Sequence, residues 1–294
     1  MKYIYKKLLP LLFVLICGLL WMGCNTINPK EQTPTYIHID SFHFKGNPLF
    51  HTTASHHITT VWAYYNDNPI GVFDLPATFP IITNAASTGK LSLSPGIAVD
   101  GLNNSLSAYP FYEFDTSTFT PQPGKVINYQ PSTQFFNSVK INTLSDFEGI
   151  SHFGLVPLTG GNIPLTVVND DSLVFEGHGA GSILLGSPAD SSIDSTSMPF
   201  TVPFGGYAFI EFDYKSSIPF YLGMQSNQGT LISSTPYYLT GVNPSDHWQK
   251  FYMTVSDFVG SFQGTDYNLY IKTSLPPGYT RGRVLIDNIQ LVTF

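Results

Sequence analysis

The side chains most able to do chemistry in this chain are rings and amides. Tyr221, Gln225, Tyr237, Tyr238 and Trp248 fall within one short stretch of the second half. Rings can lie on the apolar C–H faces of a sugar while nearby Asn, Asp and Gln side chains meet its hydroxyls. That is the combination of apolar walls and a few placed polar groups that a small-ligand site needs. Trp248 has a second reading, because a tryptophan that begins a sandwich strand packs into the core with its N–H satisfied. The Tyr237-Tyr238 pair is expected on a loop.

Histidines and acids offer less. His43, His51, His56 and His57 gather in the first half and raise the question of zinc. Metal sites keep a ligand spacing backed by further ligands, and adjacent His56 and His57 on a strand would point to opposite faces. A surface loop is the expectation there. Asp146, Glu148, Glu176, Glu211 and Asp213 could supply the two carboxyls that flank a glycosidic bond. No nucleophile elbow, zinc motif or phosphate loop is recognisable. Residues 177–181 are glycine-rich but precede no helix whose N-terminus could hold phosphate, and read as a bend. A non-catalytic protein is expected.

Such side chains need a scaffold, and composition says which kind. Of 294 residues only 11% are charged, well under the roughly 25% of an average soluble protein. Aromatics reach 15%, and 25 glycines with 22 prolines supply many turns. Abundant Ser, Thr, Phe and Tyr with little Ala, Glu, Lys or Arg favours strands over helices. An all-β body is expected, with length enough for two modest domains. The net charge is −7, and the absence of a Lys/Arg patch argues against nucleic acid as a partner. Cys17 and Cys24 are the two cysteines, so the body after them holds no disulfide and no thiolate metal site.

Residues 36–44 alternate apolar and polar side chains as a half-buried strand does. Residues 57–65 and 70–75 flank the turn Asn66-Asp67-Asn68-Pro69 and read as a hairpin. Pro76 and Pro80 put residues 75–80 at an edge or in a loop. Residues 90–94 and 97–99 read as a strand pair about Pro95-Gly96. The pattern breaks near residues 130–134, so residues 35–132 are expected to form one domain and 133–294 another, with Phe135 opening the second. Further strands are expected over 165–177, 207–214, 218–224, 248–255, 267–272 and 282–292, each able to line one face of a sandwich.

The N-terminal end has its own character. Lys2, Lys6 and Lys7 precede an apolar run over residues 8–20, the layout of a secretory signal. Leu20-Trp21-Met22-Gly23-Cys24 resembles a lipobox. The resemblance implies a signal peptide over 1–23, acylation of Cys24 with palmitate-type chains, and attachment to a membrane through that lipid. Two or three chains would anchor it stably, with the polar segment 24–34 as tether. The other reading is an uncleaved apolar anchor.

Two further resemblances follow from ordered motifs. Residues 35–132, with a strand, the turn Asn66-Asp67-Asn68-Pro69-Ile70-Gly71 and a second strand, resemble small immunoglobulin-like or surface-layer modules, which implies a domain that presents or spaces another. The second half carries Phe147-Glu148 early, Val174-Phe175-Glu176-Gly177 before the bend, Trp248-Gln249-Lys250-Phe251 leading a later strand, and Ile286-Asp287-Asn288-Ile289 near its end. Together these resemble the galactose-binding-like jelly roll of carbohydrate-binding modules. The whole is similar to two-domain surface lipoproteins of Bacteroidetes-type bacteria.

The resemblance implies a C-terminal jelly-roll β-sandwich, glycan binding through the tyrosine pool, and an outer-membrane or cell-surface location. It also implies a structural calcium tied by Glu148 and Asp287, an ion that takes six to eight oxygens. Without calcium, Glu148 would cap a turn and Asp287 would make a local hydrogen bond. A structural or assembly subunit of an envelope complex, with protein partners in place of glycan, remains the alternative.

Overall fold

Period-two alternation runs through most of the chain, and it emerges as strands. The computed structural model describes residues 31–46, 54–83, 88–149, 154–229 and 235–294. The expected signal segment, Cys24 and His51 lie outside the described residues.

The first body holds β1 (Thr35–Ile39), β2 (His43–Phe44), β3 (Thr60–Tyr65), β4 (Asn68–Asp74), β5 (Ala77–Ile81), β6 (Gly89–Ala98), β7 (Leu106–Ala108), β8 (Asp115–Phe119), β9 (Val126–Asn128) and β10 (Ser132–Thr133). One sheet runs β5-β1-β9, a second runs β4-β3-β6-β7 with β8 also on β6, and β10 pairs with β2. Ile37, Ile39, Val61, Phe79, Leu91 and Leu93 belong to one buried core. The expected hairpin is β3–β4. Its turn is the two residues Asn66 and Asp67, both at positive φ (50° and 63°), a conformation that matches strand twist and that Asn and Asp tolerate. The proline-bearing segment is an edge strand, β5.

Three expectations are corrected. The strand pair about Pro95-Gly96 is one strand, β6, which runs through Pro95; Pro95 lacks an N–H, but its carbonyl still accepts from Tyr109 N at 3.0 Å. Phe135 does not open the second body. Its ring packs in the first core against Phe44 and Tyr112. The strand expected over 165–177 shrinks to three residues because Asp170 closes a turn, its Oδ1 accepting from Ser172 N (2.9 Å) and Ser172 Oγ (2.7 Å).

The second body holds β11 (Lys140–Ser145), β12 (Leu155–Pro157), β13 (Thr166–Val168), β14 (Ala180–Leu185), β15 (Ser191–Thr196), β16 (Ala208–Ser216), β17 (Phe220–Gly229), β18 (Tyr237–Val242), β19 (Ser245–Thr254), helix α1 (Ser256–Phe262), β20 (Gly264–Ser274) and β21 (Gly282–Thr293). A six-stranded sheet runs β13-β14-β21-β16-β19, with β11 also on β21. A five-stranded sheet runs β12-β15-β20-β17-β18. All these pairings are antiparallel. Ile210, Phe212, Phe251 and Ile286 from the first sheet meet Leu222, Met224, Leu269 and Ile271 from the second in one core. The protein is all-β, and this half is a jelly-roll β-sandwich.

The first body packs on the outer face of the six-stranded sheet. Phe209, Tyr252 and Val292, which point away from the sandwich core, join the first body's core instead. Tyr109 sits against Phe209 and Tyr252 with ring centroids 5.2 and 5.0 Å away. A 3-10 turn at Val99–Gly101 closes on the sandwich edge. Thr254 N of β19 donates to Asp100 Oδ1 at 3.0 Å, and Thr240 Oγ1 of β18 donates to the Asp100 carbonyl at 3.4 Å. One outer face of the sandwich is thus covered, while among the described residues the first body meets the five-stranded sheet only at its β18 edge.

Candidate functional site

On the open face, strand register gathers a compact set of rings and amides. On β17, Leu222 and Met224 enter the core, so Tyr221, Gly223 and Gln225 face outward. Their partners on β20 are Lys272, Tyr270 and Asn268 in that order, and Tyr238 of β18 lies opposite Gly223. Tyr221 is 50% exposed and Tyr238 37%. The Lys272 ammonium stands 5.3 Å from the centre of the Tyr238 ring, a cation–π distance.

Two glycines seat the rings. A Cβ on Gly223 would meet the Tyr237 carbonyl oxygen at 2.9 Å and the Tyr238 ring at 3.0 Å, and one on Gly241 would meet the Tyr221 ring at 3.2 Å. At Gly223 the Tyr237 carbonyl leaves no room for a Cβ, while at Gly241 the Tyr221 ring would have to give way by a few tenths of an ångström. The amides are held as well. The Tyr270 hydroxyl donates to Gln225 Oε1, Asn268 Nδ2 donates to the Thr196 carbonyl (2.8 Å) and Oγ1 (3.0 Å), and Asn227 Nδ2 donates to Asn268 Oδ1 (2.5 Å). Fixing polar groups before a ligand arrives lowers the ordering cost of binding.

The structure divides the residues singled out from the sequence. Tyr221, Gln225 and Tyr238 come together. Tyr237 does not, because it is in strand β18 rather than a loop, and neighbours on a strand point to opposite sides. It pairs with core residue Met224 and turns toward Phe258 and Phe262 of α1, at 6.1 and 6.2 Å between centroids. Trp248 lies on β19 of the other sheet, half-buried, its ring 5.4 Å from Phe175. Lys272, Tyr270, Asn268 and Asn227 were missed, although their i, i+2, i+4 spacing on β20 carried the signal for the first three. His56 and His57 lie in the segment before β3. His57 N donates to Tyr252 OH at 3.0 Å, and Ser55 Oγ donates to Asp213 Oδ1 at 2.5 Å, so this loop is fastened to the second body rather than free on the surface.

Beneath that loop lies a charged cluster. Lys250 Nζ is 3.5 Å from Glu211 Oε2 and 3.6 Å from Asp213 Oδ2, and all three side chains are at most 4% exposed. The Tyr109 hydroxyl donates to Glu211 Oε1, and the Tyr112 and Tyr252 hydroxyls pair at 3.1 Å. Burial works against the Lys250 ammonium, but Asp213 and Glu211 outweigh it and lift its pKa above the ordinary lysine value. Burial raises the Glu211 pKa. These carboxyls are enclosed among their partners and do not flank an open bond.

Glu148 and Asp287 both grip the segment around residues 175–179. Glu148 Oε1 accepts from His178 N (2.7 Å) and Gly179 N (3.1 Å). Asp287 Oδ1 accepts from Asn288 N (2.8 Å) and Oδ2 from Glu176 N (3.4 Å). Burial, reinforced by the Asp213 charge, pushes the Asp287 carboxyl up to about 7. Both are carboxylates, the donor type a calcium ion takes, but the contacts described above are all from backbone N–H groups. Among the described residues no group of three or more His, Cys, Asp or Glu side chains could hold a metal.

No family model matches this chain, and no curated protein matches it. Among solved structures, the family 11 carbohydrate-binding module of a cellulosomal cellulase of Clostridium thermocellum is similar over 54% of this chain and 97% of its own, at 16% identity and a TM-score of 0.37. A family 29 carbohydrate-binding module is similar over 52% of this chain and 88% of its own, at 13% identity and a TM-score of 0.35. The enzymatically active domain of tailspike protein 4 of bacteriophage CBA120 is similar over 51% of this chain, at 12% identity and a TM-score of 0.37, and the chain spans 20% of that protein's length.

Proposed function

We propose that the protein is a non-catalytic glycan-binding protein of the cell envelope, held to the membrane through a lipid on Cys24, with the open face of the five-stranded sheet as its binding surface. The observation that carries the binding reading is the pairing of two exposed, glycine-seated tyrosines with a row of pre-fastened amides on the sandwich face that, among the described residues, the first body meets only at its β18 edge. Tyr221 and Tyr238 would take the apolar faces of sugar rings, and Gln225, Asn227 and Asn268 their hydroxyls. The first body serves as the module that fixes the jelly roll's orientation above the tether.

A glycan array probed with the purified protein tests this. Saturable binding that the Tyr221→Ala, Tyr238→Ala double variant loses supports it. A blank array, with a partner protein co-purifying in fixed ratio, would transfer the assignment to a structural subunit of an envelope complex. A structural calcium belongs to the same proposal, held by Glu148 and Asp287. Calcium added to chelator-treated protein should raise its melting temperature, and that rise should vanish in Asp287→Ala; an unchanged melting temperature in the parent protein removes calcium from the account.

A further inference from the structure

We propose that a glycan held on the tyrosine face continues over the β18 edge into the cleft between the two bodies, so that the ligand is a chain of sugars and the first body supplies part of its site. This rests on the glycan reading above. The cleft has a volume of about 530 Å³, inside the range of about 300–1,000 Å³ typical of ligand pockets. Asp100, Leu102 and Asn103 form one wall, and Asn243, Gln249 and Lys250 the other.

The lining selects a chemistry. The exposed Asn103 and Asn243 amides can donate hydrogen bonds, while the Asp74 and Asp100 carboxylates accept them. A neutral hydroxyl does both, so a polyhydroxylated ligand can satisfy every one of these groups. An anionic ligand would meet Asp74 and Asp100 with Glu211 and Asp213 close behind Lys250. Leu102, 52% exposed, offers an apolar surface to C–H groups.

Gly241 joins the two sites. It lines the cleft, and the Tyr221 ring lies close against it. The first-body wall is pinned there through the Thr240 hydroxyl and the Asp100 carbonyl. A sugar chain leaving Tyr221 across Gly241, its partner on β18, therefore reaches a residue of the cleft wall.

Calorimetric titration with oligosaccharide fragments of the glycan that binds best on the array, from disaccharide to octasaccharide, tests the proposal. Affinity should climb with length beyond the units that two tyrosines can touch. The Asn103→Ala, Asn243→Ala variant removes two exposed amides and should lower the long-to-short affinity ratio about tenfold, the equivalent of two hydrogen bonds. If no oligosaccharide binds, or if Tyr221→Ala binds as well as the parent, the glycan reading itself falls. If binding needs Tyr221 but the length dependence is unchanged in the double variant, only the extension into the cleft is overturned.

Discussion

Two groups of tyrosines in this molecule have the same chemistry and opposite circumstances. Tyr109, Tyr112 and Tyr252 are almost fully buried between the bodies, while Tyr221 and Tyr238 stand half-exposed on the open face. At the junction each hydroxyl is committed, Tyr109 to Glu211 and Tyr112 with Tyr252, and the rings pack edge-on or tilted against one another and Phe209. On the open face the rings themselves are presented and the fastened groups are the amides around them. Burial and committed partners make one set structural; exposure on a pre-fastened floor makes the other available to a ligand. The junction set should therefore respond to mutation in stability and the open set in binding.

The largest effect should come from the junction. Lys250→Met leaves Glu211 and Asp213 buried without their counter-charge, and breaking a buried ion pair from one side costs about 3–5 kcal/mol. Chemical denaturation should show a loss of that order; a loss under about 1 kcal/mol would mean the cluster is open to water and the contrast is false.

Next in size is the open face. The Tyr221→Ala, Tyr238→Ala variant should lose about 2 kcal/mol of glycan affinity at roughly 1 kcal/mol per ring, or about thirtyfold. Its denaturation midpoint should move little, since exposed substitutions usually stay within about 0.5 kcal/mol. A large stability loss with intact binding would reverse the two roles.

The smallest effect is a pH dependence at the edge where the bodies meet. Burial lifts the Asp100 carboxyl to about 6, above the unfolded value near 3.9. Between those values the folded state holds the extra proton, so this group's contribution to stability is fully present below about 4 and is lost as pH rises through about 6. Relative to Asp100→Asn, which tolerates the same positive φ of 55°, the parent protein should lose stability across that window. Parallel stability curves for the two proteins from pH 4 to 7 would contradict the burial of Asp100.

The sequence disclosed the strands more readily than the site. Alternation marked β3, β16, β19, β20 and β21 because each has a core face. Tyr221, Gln225 and Tyr238 could be singled out by type, but their meeting with Asn268, Tyr270 and Lys272 depends on long-range register between β17 and β20, which local pattern does not encode. Trp248 was grouped with them by nearness in sequence, yet a chain that crosses between two sheets separates such neighbours. Glu211, Asp213 and Lys250 alternate with apolar residues just as a solvent-facing row would. Only the packing of the first body onto that face shows that they are buried.

The most direct test of the central claim is the movement of tyrosine ring signals in NMR when the strongest-binding array oligosaccharide is added. The account predicts shifts at Tyr221 and Tyr238, with Tyr270 following through Gln225, while Tyr109, Tyr112 and Tyr252 stay where they are. Shifts confined to the junction tyrosines, or a bound glycan that moves neither Tyr221 nor Tyr238, would contradict it.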